Sequence, residues 1–149
     1  MTRLAAFTAG CEVFEITLSR GYGDAEFRED LKRLYGMLAE REVVFLFTDA
    51  HVVEEGFLEL VNNMLTSGMV PALFAPEEKD ALAATVRQEV EERLKLAGTT
   101  ENCWPVFMER CRRHLHIVLA MSPSGDTLRV RCRNFPGMLT ATVIDWFQP

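Results

Sequence analysis

Residues 43–47, VVFLF, are five apolar side chains in a row that run straight into Thr48, Asp49 and His51. A strand with one wet face alternates polar and apolar residues. An unbroken apolar run therefore predicts a strand covered on both faces, as in a parallel sheet flanked by helices. Polar residues at its carboxyl end then sit where sheets of this kind gather ligand groups. The chain has 149 residues, 48% of them hydrophobic, enough for one domain with a real core.

The flanking pattern supports an α/β chain. Thr2 to Ala9 reads as a short helix closed at Gly10, and Cys11 to Leu18 as a strand marked by Val13, Phe14, Ile16 and Leu18. Gly21 to Asp24 is a turn with Asp24 as a candidate N-cap. The following helix carries Phe27, Leu31, Leu34, Tyr35 and Leu38 on one face and Arg28, Glu29, Lys32 and Arg33 on the other. Glu54 to Ser67 is predicted helical and ended by Gly68, and Pro76 to Leu96 reads as one long charged helix. After a polar break at 98–102, a helix through Trp104 to Arg113 leads into a third strand, Leu115 to Met121. Ser122 to Gly125 then form a loop, Arg129 to Arg133 an arginine-rich segment, Pro136-Gly137 a turn, and Thr142 to Phe147 a last β-rich piece. Three strand ends carry candidate chemistry: Thr48-Asp49, Ser122 and the edge at Asp145.

Composition excludes several classes of function. The net charge of −6 argues against a nucleic-acid backbone as the main partner. No apolar run approaches the length of a membrane span, so no membrane partner is expected. Cys11, Cys103, Cys111 and Cys132 form no CxxC pair and no dense disulfide spacing, which fits free thiols in a reducing compartment. Cys111, His114 and His116 have a loose metal-ligand spacing, but no fourth ligand stands nearby, and zinc is not expected there.

Three blocks carry a family resemblance: VVFLFTDAHVVEEGFLELVNNMLTSGMVPALF (43–74), LHIVLAMSPSGDTLRVRCRNFPG (115–137) and TVIDWF (142–147), together with FEITLSRGYGDAEFREDLKRLY (14–35). In this order they resemble a dynein heavy chain of the axonemal type, in the fourth AAA+ module of the motor ring. The resemblance implies a partial AAA+ P-loop NTPase large subdomain over residues 1–149, a parallel sheet flanked by helices. In that family the segment similar to Thr2–Phe7 directly follows a phosphate-binding loop, and the strand before the loop is central in the sheet. The chain is therefore expected to be a truncated piece without the central first strand and the P-loop.

Site roles follow from the resemblance, residue by residue. Aligned on Gly56-Phe-Leu-Glu59, Thr48 takes the place of a magnesium-orienting aspartate, and Asp49 that of the glutamate that polarises the attacking water. A threonine hydroxyl can hold a metal-bound water without adding charge, and aspartate is one methylene shorter than glutamate. Thr48 is thus a candidate metal and cofactor residue and Asp49 a candidate catalytic residue, both weaker than the usual pair. Ser122 falls at a phosphate-sensing position, where its hydroxyl could meet a γ-phosphate or water. Arg133, with Arg131 second, is the candidate for stabilising charge in a neighbouring module's site.

Implied cofactors are ATP and Mg2+ in the intact module and none for this piece alone. The implied partners are neighbouring AAA+ modules of the same heavy chain and, through the whole motor, microtubules and dynein light and intermediate chains. The location implied is the cytoskeleton of the cytoplasm and of the ciliary or flagellar axoneme. Read from the residues alone, other assignments stand beside these. Thr48 and Asp49 can simply cap a loop, Ser122-Pro123 can be a turn, the arginines can be surface ion pairs, and Glu54 and Glu55 can stabilise the positive end of a helix. A structural or interaction piece without nucleotide is the alternative function. A receiver-like phosphoacceptor role for Asp49 is disfavoured because the first strand lacks the acidic partners it would need.

Overall fold

The computed structural model describes residues 1–147. Its elements are α1 (Thr2–Ala9), β1 (Glu12–Phe14), α2 (Asp24–Leu38), β2 (Val43–Thr48), α3 (Gly56–Ser67), α4 (Pro76–Ala84), α5 (Arg87–Arg93), α6 (Thr100–His114), β3 (Leu115–Ala120), α7 (Thr127–Asn134) and α8 (Gly137–Thr140). The strands form one parallel sheet in the order β1-β2-β3. Val43 pairs with Glu12 on one side and Leu115 on the other, and Thr48 is opposite Ala120.

β2 is the middle strand, which accounts for its unbroken apolar sequence. Val43, Phe45 and Phe47 are fully buried toward the helices, and Val44 and Leu46 on the other face are nearly so. Phe27 stacks on Phe57 with ring centroids 4.4 Å apart, and Phe47 packs against Phe27 and Phe45 at 5.8 Å each. These rings join α2, α3 and the sheet into one core, to which Leu31, Leu34, Tyr35 and Leu38 add the buried face of α2. Burial of a single large side chain of this kind contributes about 1.5–3 kcal/mol, so the α2–β2–α3 sandwich dominates the stability of the chain.

Helix ends agree with the sequence at Gly10 and Gly68, both left-handed with φ of 77° and 83°. Asp24 is instead the first residue of α2. Gly23 precedes it, and its N–H is accepted by the Glu26 carboxylate at 2.9 Å.

Several expected elements change. The long helix over Pro76–Leu96 is two helices, α4 and α5. The turn at its break tightens: Thr85 and Val86 donate to Leu82 and Ala83 three residues back, and the Thr85 hydroxyl also bonds the Leu82 carbonyl. That kink lets both Val86 and Val90 reach the core. The first strand is only Glu12–Phe14, although Ile16 beyond it is buried. Pro136 leads into the short helix α8 rather than a turn, and the arginine-rich segment lies on α7. Residues 142–147 form no strand, contrary to their β-rich sequence. A strand needs a neighbour to satisfy its backbone, and among the described residues none lies beside them.

Candidate functional site

Three segments converge at the carboxyl ends of β2 and β3. β2 delivers Thr48, and a single 3-10 turn, Asp49–His51, follows it at once. His51 folds back so that its Nδ1 accepts the Thr48 backbone N–H at 3.0 Å and lies 3.2 Å from the Thr48 hydroxyl. His51 Nδ1 thus meets both the backbone amide and the hydroxyl of Thr48. The His51 ring packs at a tilt of 39° against Phe47, with centroids 5.7 Å apart, which anchors that geometry to the core.

Asp49 is held from two directions. One carboxylate oxygen accepts the Ser122 backbone N–H at 2.6 Å, tying the end of β2 to the loop after β3. The other oxygen accepts from the Arg131 guanidinium at 2.7 Å. Arg131 also reaches Glu55 at 3.3 Å. Its side chain is only 12% exposed, whereas Asp49 is 41% exposed. The two acidic residues thus share one nearly buried cation that α7 presents to them. Arg131 Nε has no partner although it is buried, and the guanidinium is oriented by the two carboxylates, with the Met121 sulfur 3.9 Å from the nitrogen that meets Asp49.

The sequence-selected residues separate accordingly. Thr48, Asp49, the backbone of Ser122 and Arg131 come together. The Ser122 side chain is exposed, and its hydroxyl accepts the Ser124 N–H at 3.3 Å within its own turn. Arg133 lies elsewhere. In a helix, two residues apart means nearly opposite faces, so Arg131 turns inward while Arg133 is exposed at a broad cleft. Arg129 is exposed as well and faces Asp126 at 3.9 Å. Asp145 lines the same cleft instead of closing a strand. Glu55 and His51 were not singled out as site residues in the sequence. The signal for His51 was available, since an acceptor three residues after Thr48 matches a capping turn; nothing in the spacing linked Glu55 to Arg131.

Magnesium favours hard, largely anionic oxygen ligands in a near-octahedral shell. Here Thr48 offers one neutral hydroxyl, already within 3.2 Å of His51 Nδ1, and Asp49 is already paired with a guanidinium. These residues by themselves do not compose a magnesium site. They also include no phosphate cradle, because the sequence contains no Gly-Lys dipeptide.

Beside this site, the cleft of about 1650 Å³ runs the length of β3 and separates it from residues 143–147. Its lining includes Leu119, Met121, Leu128, Val143, Ile144 and Phe147. Among the described residues β3 is hydrogen-bonded to β2 alone, so its second edge faces this cleft. A smaller hollow near Lys79 and Trp104, about 310 Å³, lies on the helices and carries none of the candidate residues. No helix is long and apolar enough to cross a membrane among the described residues.

The whole sequence is matched by a family model described as the P-loop containing dynein motor region D4, over residues 1–149. The chain is 66% identical to the dynein-1-alpha heavy chain of the flagellar inner arm I1 complex from Chlamydomonas reinhardtii, with 100% of this chain and 3% of that protein covered. It is 58% identical to dynein axonemal heavy chain 10 from Homo sapiens, again over 100% of the chain and 3% of the relative. Identity to the dynein beta chain of the flagellar outer arm from Chlamydomonas reinhardtii is 42%, over 99% of the chain and 3% of the relative. The chain thus spans about 3% of the length of these relatives.

Proposed function

Since the chain belongs to the dynein motor-region D4 family, we propose that it is part of the fourth AAA+ module in the motor ring of an axonemal dynein heavy chain. Its role there is that of a regulatory nucleotide module that contributes to ATP-driven movement along microtubules in cilia or flagella. ATP and Mg2+ are held in the intact module chiefly by groups other than Thr48 and Asp49. Neighbouring AAA+ modules contact this one, and microtubules and the light and intermediate chains are partners of the whole motor.

The observation that carries this reading is the engagement of Asp49 by Arg131 and by the Ser122 N–H. A carboxylate that polarises water needs a free lone pair aimed at that water. Each oxygen keeps a further lone pair, but the guanidinium on one and the backbone amide on the other fix the direction in which the carboxylate points and offset part of its charge, which supports binding with weak or no hydrolysis. Arg133, exposed and on the other face of α7, is the arginine free to reach a neighbouring module, whereas Arg131 serves its own site. The open edge of β3 and the apolar cleft beside it support a further parallel strand lying between β3 and residues 143–147 in the intact module. In that arrangement residues 142–147 gain the partner their β-rich sequence calls for.

A fluorescent ATP-analogue titration tests the reading. The expected result is no saturable binding at micromolar concentration by the 149-residue chain and clear micromolar binding by the intact module. Micromolar affinity of the chain alone overturns the division of labour proposed here, and absence of binding by the intact module favours the structural, nucleotide-free alternative.

A further inference from the structure

At the opposite end of the sheet from Asp49, three strands begin side by side, and each brings one metal-ligating group. Cys11 precedes β1, Glu42 precedes β2, and His116 is the second residue of β3. Glu12, Val43 and Leu115 are in register and share one face. Alternation along the strands therefore puts Cys11, Glu42 and His116 together on the other face. The contacts follow from this placement. The Cys11 thiol donates to Glu42 Oε2 at 3.5 Å, and His116 Nε2 lies 3.9 Å from the same oxygen. The three donor atoms all lie within 4.8 Å of one another.

The grouping of Cys111 with His114 and His116 that the sequence spacing suggested does not form. Cys111 is buried, and His114 Nδ1 is 2.7 Å from the Leu38 carbonyl. His116 instead meets residues more than seventy positions away in the sequence, which no local motif could reveal.

We propose that Cys11, Glu42 and His116 form a surface site for a divalent transition ion of the zinc class. A tetrahedral zinc with sulfur at about 2.3 Å and nitrogen or oxygen at about 2.0–2.2 Å separates its ligand atoms by roughly 3.3–3.6 Å. The most widely spaced donor atoms here need to draw in by at most about 1.5 Å to meet that shell. One thiolate, one imidazole and one carboxylate give a soft, intermediate and hard donor with two negative charges, a set that selects zinc over magnesium or calcium. The fourth position is left to water. Binding replaces the S–H bond of Cys11 by an S–metal bond, and the thiol proton passes to the solvent. The ion would clamp the starts of all three strands at the end of the sheet remote from the nucleotide chemistry. This inference is independent of the dynein assignment, because it rests only on the register of the sheet and the three side chains.

Cobalt(II) titration of the full chain tests it, since a thiolate-to-cobalt charge-transfer band reports sulfur ligation and a competing chromophoric chelator gives the zinc affinity. The expected result is one ion per chain and a charge-transfer band that Cys11→Ser removes and Cys132→Ser leaves intact. His116→Gln and Glu42→Gln should each weaken zinc binding at least tenfold. All three side chains lie at the surface, and far-UV circular dichroism checks that the variants stay folded. Failure to bind zinc at ten micromolar, or a band unchanged in Cys11→Ser, overturns the site.

Discussion

Replacing Arg131 by methionine probes the contact on which the site reading depends. The substitution keeps most of the apolar stem but removes the guanidinium that Asp49 accepts at 2.7 Å and Glu55 at 3.3 Å. Breaking a buried ion pair costs about 3–5 kcal/mol, whereas an exposed pair is worth about 0.2–1 kcal/mol. Arg131 is 12% exposed but its partners are 41% and 62% exposed, so solvent screens most of the interaction. Asp49 also keeps the Ser122 N–H. The cost should therefore fall near the lower range, about 1.5 kcal/mol, with about 1 kcal/mol of it coupled to Asp49. Urea unfolding followed by far-UV circular dichroism gives the stabilities of wild type, Arg131→Met, Asp49→Asn and the double variant. A coupling near 1 kcal/mol agrees with the pairing. Strict additivity, with a coupling below about 0.3 kcal/mol, would refute the view that Arg131 holds Asp49 in place.

Other consequences concern the core and its titration. Phe47 is fully buried between Phe27 and Phe45, so Phe47→Ala should cost about 3–5 kcal/mol in the same unfolding assay. Burial pushes the Cys111 thiol up to about 12, above the value for an unfolded chain, so the native state holds that proton more tightly. Its contribution is complete below about pH 8.5 and is lost as pH rises toward 12, with a slope of up to about 1.4 kcal/mol per unit. Unfolding midpoints should accordingly fall through this alkaline window, and Cys111→Ala should flatten part of the fall. The remainder belongs partly to Tyr35, whose hydroxyl burial also shifts upward.

The sequence was most informative where one physical demand dominated. VVFLF could only be a doubly covered strand, and it is the middle strand of the sheet with α2 and α3 packed on it. The apolar stripes of α2 and α3 and the glycine ends at Gly10 and Gly68 were legible for the same reason. Residues 129–133 were less so: the arginine pattern does not show which side chain turns inward, and it is the helical turn of α7 that separates Arg131 from Arg133. The strand expected at 142–147 depended on a pairing partner that none of the described residues supplies, so local β propensity could not decide it. At the site, Thr48, Asp49 and Ser122 were visible as strand ends. The Asp49–Arg131–Glu55 link joins positions more than seventy residues apart and depends on how α7 docks, which spacing alone does not encode. Cys11, Glu42 and His116 illustrate the same limit, since only the strand register brings them together.

The most direct test of the central claim is steady-state ATP turnover by the intact D4 module, compared with the same module carrying Asp49→Asn. With Asp49 held by Arg131 and Ser122, the account predicts a low rate that changes by less than about twofold, because the carboxylate is not the group that polarises water. Robust turnover that falls by about a hundredfold or more in Asp49→Asn would contradict it and make Asp49 the working base.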